Sequence, residues 1–293
     1  MTKGTSIPEF LKQGKSLFSL EFFPPKNEAG GERMLRTAAT LKPFNPDFVS
    51  ITYGAGGGTR KTTMHYAKIL KQEFGFEVMP HLTCVGHTKK ELLEILEDFS
   101  KEGFCNIMAL RGDPPQGETT FQAVDGGLSY ATELVTLIRE YFPDFGIGVG
   151  GYPEKHPEAP DKLTDLHHLK EKVDAGADFI TTQLFFENNA YFSFLQECKD
   201  TGITVPILPG LLPALSLGQI QRFCKMCDAS LPEKLAYDLN NAEESAQPEI
   251  GAKWAKQQVV DLLNKAAPGF HLYALNQSAA SLEILNGLRK QDN

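Results

Sequence analysis

The sequence predicts a single (β/α)8 barrel. Three observations carry this. Short β-rich runs alternate strictly with helical segments, the run starts recur about every 30 residues through most of the chain, and no low-complexity linker interrupts the alternation. Alternation of this kind implies parallel strands joined by right-handed crossovers. About eight such units in 293 residues suit a closed barrel better than an open sheet.

The strands are read in order at Phe18–Phe23, Phe48–Thr52, Val78–Leu82, Asn106–Leu110, Ile147–Gly151, Phe179–Thr182, Val205–Leu208 and Phe270–Tyr273. Each is short, apolar and bounded by turn residues. Between them, Thr88–Glu102 opens with Thr88 as cap and Glu91 as its capping-box partner, then carries Leu92, Ile95, Leu96 and Phe99 at helical spacing. A helix over Leu163–Ala175 should stop at Gly176, and one over Asn188–Asp200 near Gly202. A further helix over Glu249–Lys265 precedes the last strand, and only a final helix follows Tyr273. One domain over residues 1–293 is expected, with no room for a C-terminal regulatory domain.

Composition narrows the function classes. Hydrophobic residues make up 41% and charged residues 23%, an ordinary globular balance. The net charge is −8 with no basic block, which argues against nucleic acid as a partner. The most apolar run, Val205–Gly218, is interrupted by Pro206, Pro209 and Pro213, and so is not a membrane span. The N-terminus lacks a secretion signal, and a cytoplasmic protein is expected. Five widely spaced cysteines do not form a disulfide framework. Cys224 and Cys227, within one helix, read as packing side chains rather than a metal or redox pair.

The glycine motifs are ambiguous. Gly146, Gly148 and Gly151 match a dinucleotide fingerprint in spacing, but they lie inside a strand rather than opening a helix. Close ligand approach or tight barrel packing are the alternatives. Gly54–Gly58 follows a strand and precedes a helix, which suits an active-site loop or an anion contact.

Barrel chemistry gathers at strand C-termini. Those ends supply Glu21, Thr52, His81, Arg111 with Asp113, Tyr152 with His156, and Gln183. Alternation along Phe18–Phe23 turns Glu21 into the barrel. Beside Phe22 and Phe23 its carboxyl should be partly desolvated and its pKa raised, as suits a general acid. An inward carboxylate paired with a basic barrel residue is the alternative. Asp113 should stay ionised beside Arg111, or serve only its turn. Asp165, His168 and Lys172 share one helix face, either solvated or gripping the polar tail of a large ligand. Gln219 and Phe223 share another, where Phe223 could simply pack. No lysine stands at a strand end and no carboxylate–histidine cluster is evident, which disfavours a barrel lyase or aldolase of small acids.

In order along the chain stand Glu21-Phe22-Phe23-Pro24-Pro25, Val49-Ser50-Ile51-Thr52-Tyr53-Gly54-Ala55, Pro80-His81-Leu82-Thr83-Cys84, Ala109-Leu110-Arg111-Gly112-Asp113-Pro114-Pro115, Tyr152-Pro153-Glu154-Lys155-His156-Pro157-Glu158-Ala159, Lys172-Val173-Asp174-Ala175-Gly176-Ala177, Thr182-Gln183-Leu184-Phe185-Phe186 and Pro209-Gly210-Leu211-Leu212-Pro213. Together, over residues 16–277, they closely resemble the methylenetetrahydrofolate reductases of the bacterial FAD type. The resemblance implies a barrel with FAD at its C-terminal face, NADH or NADPH as electron donor, ping-pong reduction of methylenetetrahydrofolate to methyltetrahydrofolate for methionine synthesis, and a homo-oligomer. It implies Glu21 as general acid and Asp113 as the carboxylate that stabilises the ring-opened cation. It places FAD against Thr52, Tyr53, Ala55, His81, Arg111, Gly112, Asp113, Tyr130, Ala131, Tyr152, His156, Ala159, Asp165, His168 and Lys172. Asp113, Gln183, Gln219, Phe223 and Gln277 fall at the folate and nicotinamide contacts. Three positions depart from the family. Gln277 replaces an arginine and would lose a charge-assisted hydrogen bond to folate, while His168 and Glu171 alter the adenine side. A non-catalytic flavin or folate binder is the further alternative.

Overall fold

The computed structural model describes residues 4–54, 60–114, 117–118 and 120–289. Nine parallel segments form one continuous sheet: β1 Leu17–Phe22, β2 Phe48–Ile51, β3 Val78–Thr83, β4 Asn106–Leu110, β5 Gly146–Gly151, β6 Phe179–Thr182, β7 Ile207–Leu208, β8 Gly210–Leu211 and β9 Gly269–Tyr273. β7 and β8 are one barrel stave broken at Pro209, which has no N–H to give the ladder. The lower half pairs with β6 through Ile180↔Ile207, and the upper half with β9 through Leu211↔Leu272. β9 pairs in turn with β1, which closes an eight-stave TIM barrel. Gly210 is needed at the break, because a Cβ there would lie 2.2 Å from the Thr182 carbonyl and 2.6 Å from the Tyr273 hydroxyl.

The helices are α1 Ile7–Lys12, α2 Glu28–Leu41, α3 Arg60–Gln72, α4 Lys89–Lys101, α5 Ala131–Tyr141, α6 Lys162–Asp174, α7 Asn188–Asp200, α8 Leu217–Cys227, α9 Glu233–Asn240, α10 Gln247–Asn264 and α11 Ala279–Leu285. α4 begins with the expected reciprocal cap, Thr88 Oγ1 accepting from Glu91 N–H and the Glu91 carboxylate accepting from Thr88 N–H. It buries Leu92, Ile95, Leu96 and Phe99. α6 and α7 stop ahead of Gly176 and Gly202, both at positive φ.

Period-2 alternation separates two cores. Phe18, Leu20 and Phe22 of β1 belong to the layer under the helices, whereas Leu17, Phe48, Met79, Met108, Phe179 and Leu208 fill the barrel. α1 closes the foot of the barrel with fully buried Ile7, whose N–H donates to Asn106 Oδ1 at 2.8 Å. The lower barrel is therefore filled largely by apolar side chains, and Glu21, Ser50 and His81 stand above this fill, toward the C-terminal ends.

The glycines of β5 are now explained. A Cβ on Gly148 would lie 2.7 Å from the Phe179 ring, and one on Gly151 2.8 Å from Ile180, so both make room for core side chains. Gly150 differs, since a Cβ there would meet only Leu110 at 3.6 Å.

Candidate active site

Glu21 sits at the top of β1, 6% exposed and turned into the barrel as alternation requires. Its Oε2 lies 3.2 Å from His271 Nε2, 3.3 Å from His81 Nε2 and 3.2 Å from Ser50 Oγ, which donates to it. His271, fully buried on β9, also bonds Ser19 Oγ through Nδ1 at 2.7 Å. The His81 contact is close enough for ion pairing but is misaligned for a hydrogen bond.

These partners reverse the expected titration. Burial is the largest single influence and pushes the Glu21 carboxyl up. The charge of His81 and the charge and hydrogen bond of His271 together outweigh it and hold the pKa at about 2. The expected raised pKa is thus corrected: Phe22 packs under the helices, Phe23 is exposed, and neither surrounds the carboxyl. Glu21 is the inward carboxylate paired with basic barrel residues, and the bases are histidines from two other staves.

A second cluster stands across the mouth. Arg111 makes a two-pronged pair with Glu158, both N–O distances being 2.6 Å, and stacks its guanidinium 5.1 Å from the centre of the Phe121 ring. Its ion-pair partner is therefore Glu158, and Asp113 is exposed at the rim. His156 lies edge-on to Tyr152 at 4.5 Å, takes Asp165 Oδ2 on its backbone N–H at 3.0 Å, and accepts from Glu158 N–H through Nδ1 at 3.1 Å. Burial lowers the His156 pKa and raises that of Tyr152. Lys172 reaches from α6 to the end of β5 and donates to Gly150 O at 2.7 Å. Burial pulls its pKa down to about 8, with Asp165 resisting. The expectation that no lysine stands at a strand end is corrected by this reach, because a long side chain on a helix can occupy a place that strand sequences do not show. Asp165 and Lys172 turn inward while His168 and Glu171 are exposed, so this helix face is not simply solvated.

The remaining expected positions are distributed around the rim. Thr52 follows β2, and its N–H bonds Phe22 O at 2.9 Å. Tyr53 shares a 2.9 Å hydrogen bond with His87 Nε2, and burial pushes its hydroxyl up to about 12. Ala55, with most of the glycine loop, lies outside the described residues. Gly112 has φ +89° and faces Val85 at 2.7 Å from where a Cβ would be. Tyr130 is exposed and caps α5, which Ala131 begins, and Ala159 N–H bonds His156 O. Gln183 and Gln219 each turn Oε1 back onto a backbone N–H, of Leu184 at 2.9 Å and of Leu215 at 3.0 Å. Phe223 packs on the cluster of Leu212, Ile220 and Leu235, which supports its packing reading. Gln277 is exposed beside Asn276. Burial raises the Cys224 and Cys227 thiols to about 11, which keeps them protonated at neutral pH. Among the described residues, no three His, Cys, Asp or Glu side chains are placed to hold a metal ion. No helix among them is long and apolar enough to cross a membrane.

Sequence reasoning missed His271, Ser19, Ser50, Tyr273 and Glu158. The first four share the inward register of Glu21: Glu21 pairs with Ser50 and Tyr273, and Ser19 with His271. Their alternation was a usable signal. Glu158, on a loop, offered none.

A closed parallel barrel with its titratable side chains gathered at the C-terminal mouth defines a (β/α)8 barrel of the enzyme type. Residues 6–289 match the family model for methylenetetrahydrofolate reductase, and the chain belongs to that family. It is 38% identical over 278 residues to the 5,10-methylenetetrahydrofolate reductase of Escherichia coli (strain K12), covering 94% of this chain and 92% of that protein. It is 36% identical over 294 residues to methylenetetrahydrofolate reductase (NADH) 1 of Arabidopsis thaliana, covering 96% of this chain and 50% of that protein. The chain thus spans about half the length of the plant relatives it matches. Among solved structures, an uncharacterized protein from Clostridium thermocellum that binds two copies of 5-methyl-5,6,7,8-tetrahydrofolic acid superposes with a TM-score of 0.61 at 16% identity, covering 96% of this chain and 97% of that one. At that identity it shares the fold.

Proposed function

We propose that this chain reduces 5,10-methylenetetrahydrofolate to 5-methyltetrahydrofolate using FAD, with NADH or NADPH as electron donor in a ping-pong cycle that supplies methyl groups for methionine synthesis. The observation that carries the reading is Glu21, a buried carboxylate held by two histidines at the mouth of a barrel whose sequence matches this family from residue 6 to residue 289.

The residues present fit a flavin dinucleotide. Thr83 Oγ1 and Thr181 Oγ1 are buried near the strand ends without hydrogen-bond partners, and Gly150 leaves its inward side open. Arg111 and Lys172 would offset phosphate charge, and Thr52, Tyr53 and Tyr152 would line the ring system. When bound, FAD supplies the hydride chemistry.

The protein's part is a proton. Opening the five-membered ring of the folate requires protonation at its N10, which leaves a cation. Glu21 alone, with a pKa of about 2, is a poor donor near neutral pH. The hydrogen bond between His271 Nε2 and Glu21 Oε2, 3.2 Å long, gives the carboxylate a partner with which to exchange that proton. Asp113, exposed at the rim, remains free to face the cation. The test is anaerobic: the purified protein should be yellow, NADH should bleach the flavin without folate, and methylenetetrahydrofolate should restore the colour. A colourless protein that takes up no FAD overturns the reading.

A second reading is favoured by Lys172 alone. An amine with a pKa near 8 at a strand end suits Schiff-base chemistry on a small oxo acid. Borohydride trapping of a covalent adduct would support it.

A further inference from the structure

The exit of β5 is held by a lysine where the sheet stops. The ladder ends at Gly151, which pairs with Thr182, and Gly151 O takes the Gln183 N–H at 2.7 Å. The carbonyls of Tyr152 and Pro153 lie past the last pair, and Pro153 has no N–H with which to fold the chain back. Lys162, the first residue of α6, reaches both: its Nζ donates to Tyr152 O at 2.8 Å and to Pro153 O at 2.6 Å.

This amine is built into the fold. It stands 4.8 Å from the centre of the Phe194 ring on α7 and 3.7 Å from Glu197 Oε2, which balances its charge from beyond hydrogen-bond reach. Two carbonyls and one ring match the three donors of an ammonium group. Burial pulls its pKa down, and Glu197 resists. The other ties of this loop lie toward solvent, where Glu154 accepts from Ser230 N–H at 2.9 Å and Lys155 pairs with Asp228 at 3.4 Å.

What Lys162 holds in place is Tyr152. Proline fixes φ at residue 153, so holding both carbonyls leaves the Tyr152 backbone little freedom. Its ring packs edge-on to His156 at 4.5 Å. After burial, the charge of Asp113 is the next influence that raises the Tyr152 hydroxyl, so Asp113 lies within electrostatic reach of the ring.

We propose that Lys162 is a positioning residue for the dinucleotide site: by holding the Tyr152 and Pro153 carbonyls it aims the Tyr152 ring, and it strengthens FAD binding through that ring rather than by meeting FAD itself. The identity of the ligand rests on the reductase reading; the hold on Tyr152 does not.

Two measurements on the full chain test this. In the first, histidine-labelled protein is followed by NMR. Lys162→Met should shift the His156 ring signal, which Tyr152 overlies, and Lys162→Arg, whose fork can serve both carbonyls and stack on Phe194, should restore it. In the second, flavin fluorescence should show FAD bound about tenfold more weakly by Lys162→Met and within about twofold of normal by Lys162→Arg. Lys162→Gln, too short to span both carbonyls, should match the methionine variant and serves if that variant does not fold. Gly148→Ala, which disturbs core packing alone, should leave FAD affinity unchanged. A stability loss in Lys162→Met with unchanged FAD affinity overturns the proposal. So does a loss of affinity that shrinks as salt is raised from about 0.05 M to 0.5 M, because the ammonium would then meet the FAD phosphates directly. A protein that binds no FAD overturns the reductase reading, and the histidine signal alone then decides whether Lys162 holds Tyr152.

Discussion

Lys172 Nζ donates to the carbonyl of Gly150 at 2.7 Å and so carries a helix-borne cation to the one open glycine of β5. With a pKa near 8 it is charged in neutral solution and loses that charge in mild base. FAD affinity should therefore fall as pH rises through about 8. Lys172→Arg should remove this pH dependence, and Lys172→Met should weaken FAD about tenfold or more at pH 7, read by flavin fluorescence. Stability moves oppositely. The unfolded lysine binds its proton more tightly than the folded one, so Lys172 makes folding more favourable as pH rises from about 8 to 10.5.

Glu21→Gln should leave reduction by NADH intact and slow reoxidation by methylenetetrahydrofolate by about 100-fold or more, measured by stopped flow. Equal loss in both half-reactions would contradict the proton-transfer assignment.

The Glu21 pKa is lower folded than unfolded, so its contribution to stability is complete above about pH 4.5 and disappears as pH falls through about 2. The contribution is on the order of 3 kcal/mol. Denaturant unfolding should show Glu21→Gln less stable than the unmodified protein near pH 6, with the gap closing below pH 4. A constant gap would mean that the histidine pairing does not hold Glu21 ionised.

Gly148 and Gly150 should separate packing from binding. Gly148→Ala drives a methyl into Phe179 and should cost about 2 kcal/mol in denaturant unfolding. Gly150→Ala meets only Leu110, so its stability loss should be below about 1 kcal/mol while flavin affinity drops.

Gln277→Arg should tighten folate binding threefold to tenfold, seen as a lower KM with kcat little changed. A fall in kcat instead would place residue 277 against the reacting ring.

The barrel was legible because each stave is a short apolar run between turn signals, and β4 and β6 match their expected spans. The stave read as Val205–Leu208 was not, because Pro206 and Pro209 shift and split its pairing, and that depends on neighbours rather than on local pattern. Glu21 was legible from alternation, but its pKa was not. The sign is set by His81 and His271, which lie 60 or more residues away; His81 was read as a strand-end residue but not as a partner of Glu21, and His271, alone in an apolar strand, reads as core. Arg111 was found, while its partner Glu158 was hidden in an irregular loop.

Glu21 arrives on the first stave and His271 on the last, and they meet only across the β1–β9 ladder. The carboxylate–histidine pair therefore has an order in time. On the ribosome the site cannot exist until residue 271 has emerged and the ring has shut. Until then the Glu21 carboxyl lacks its His271 partner, so a partly made chain cannot hold it as the closed barrel does.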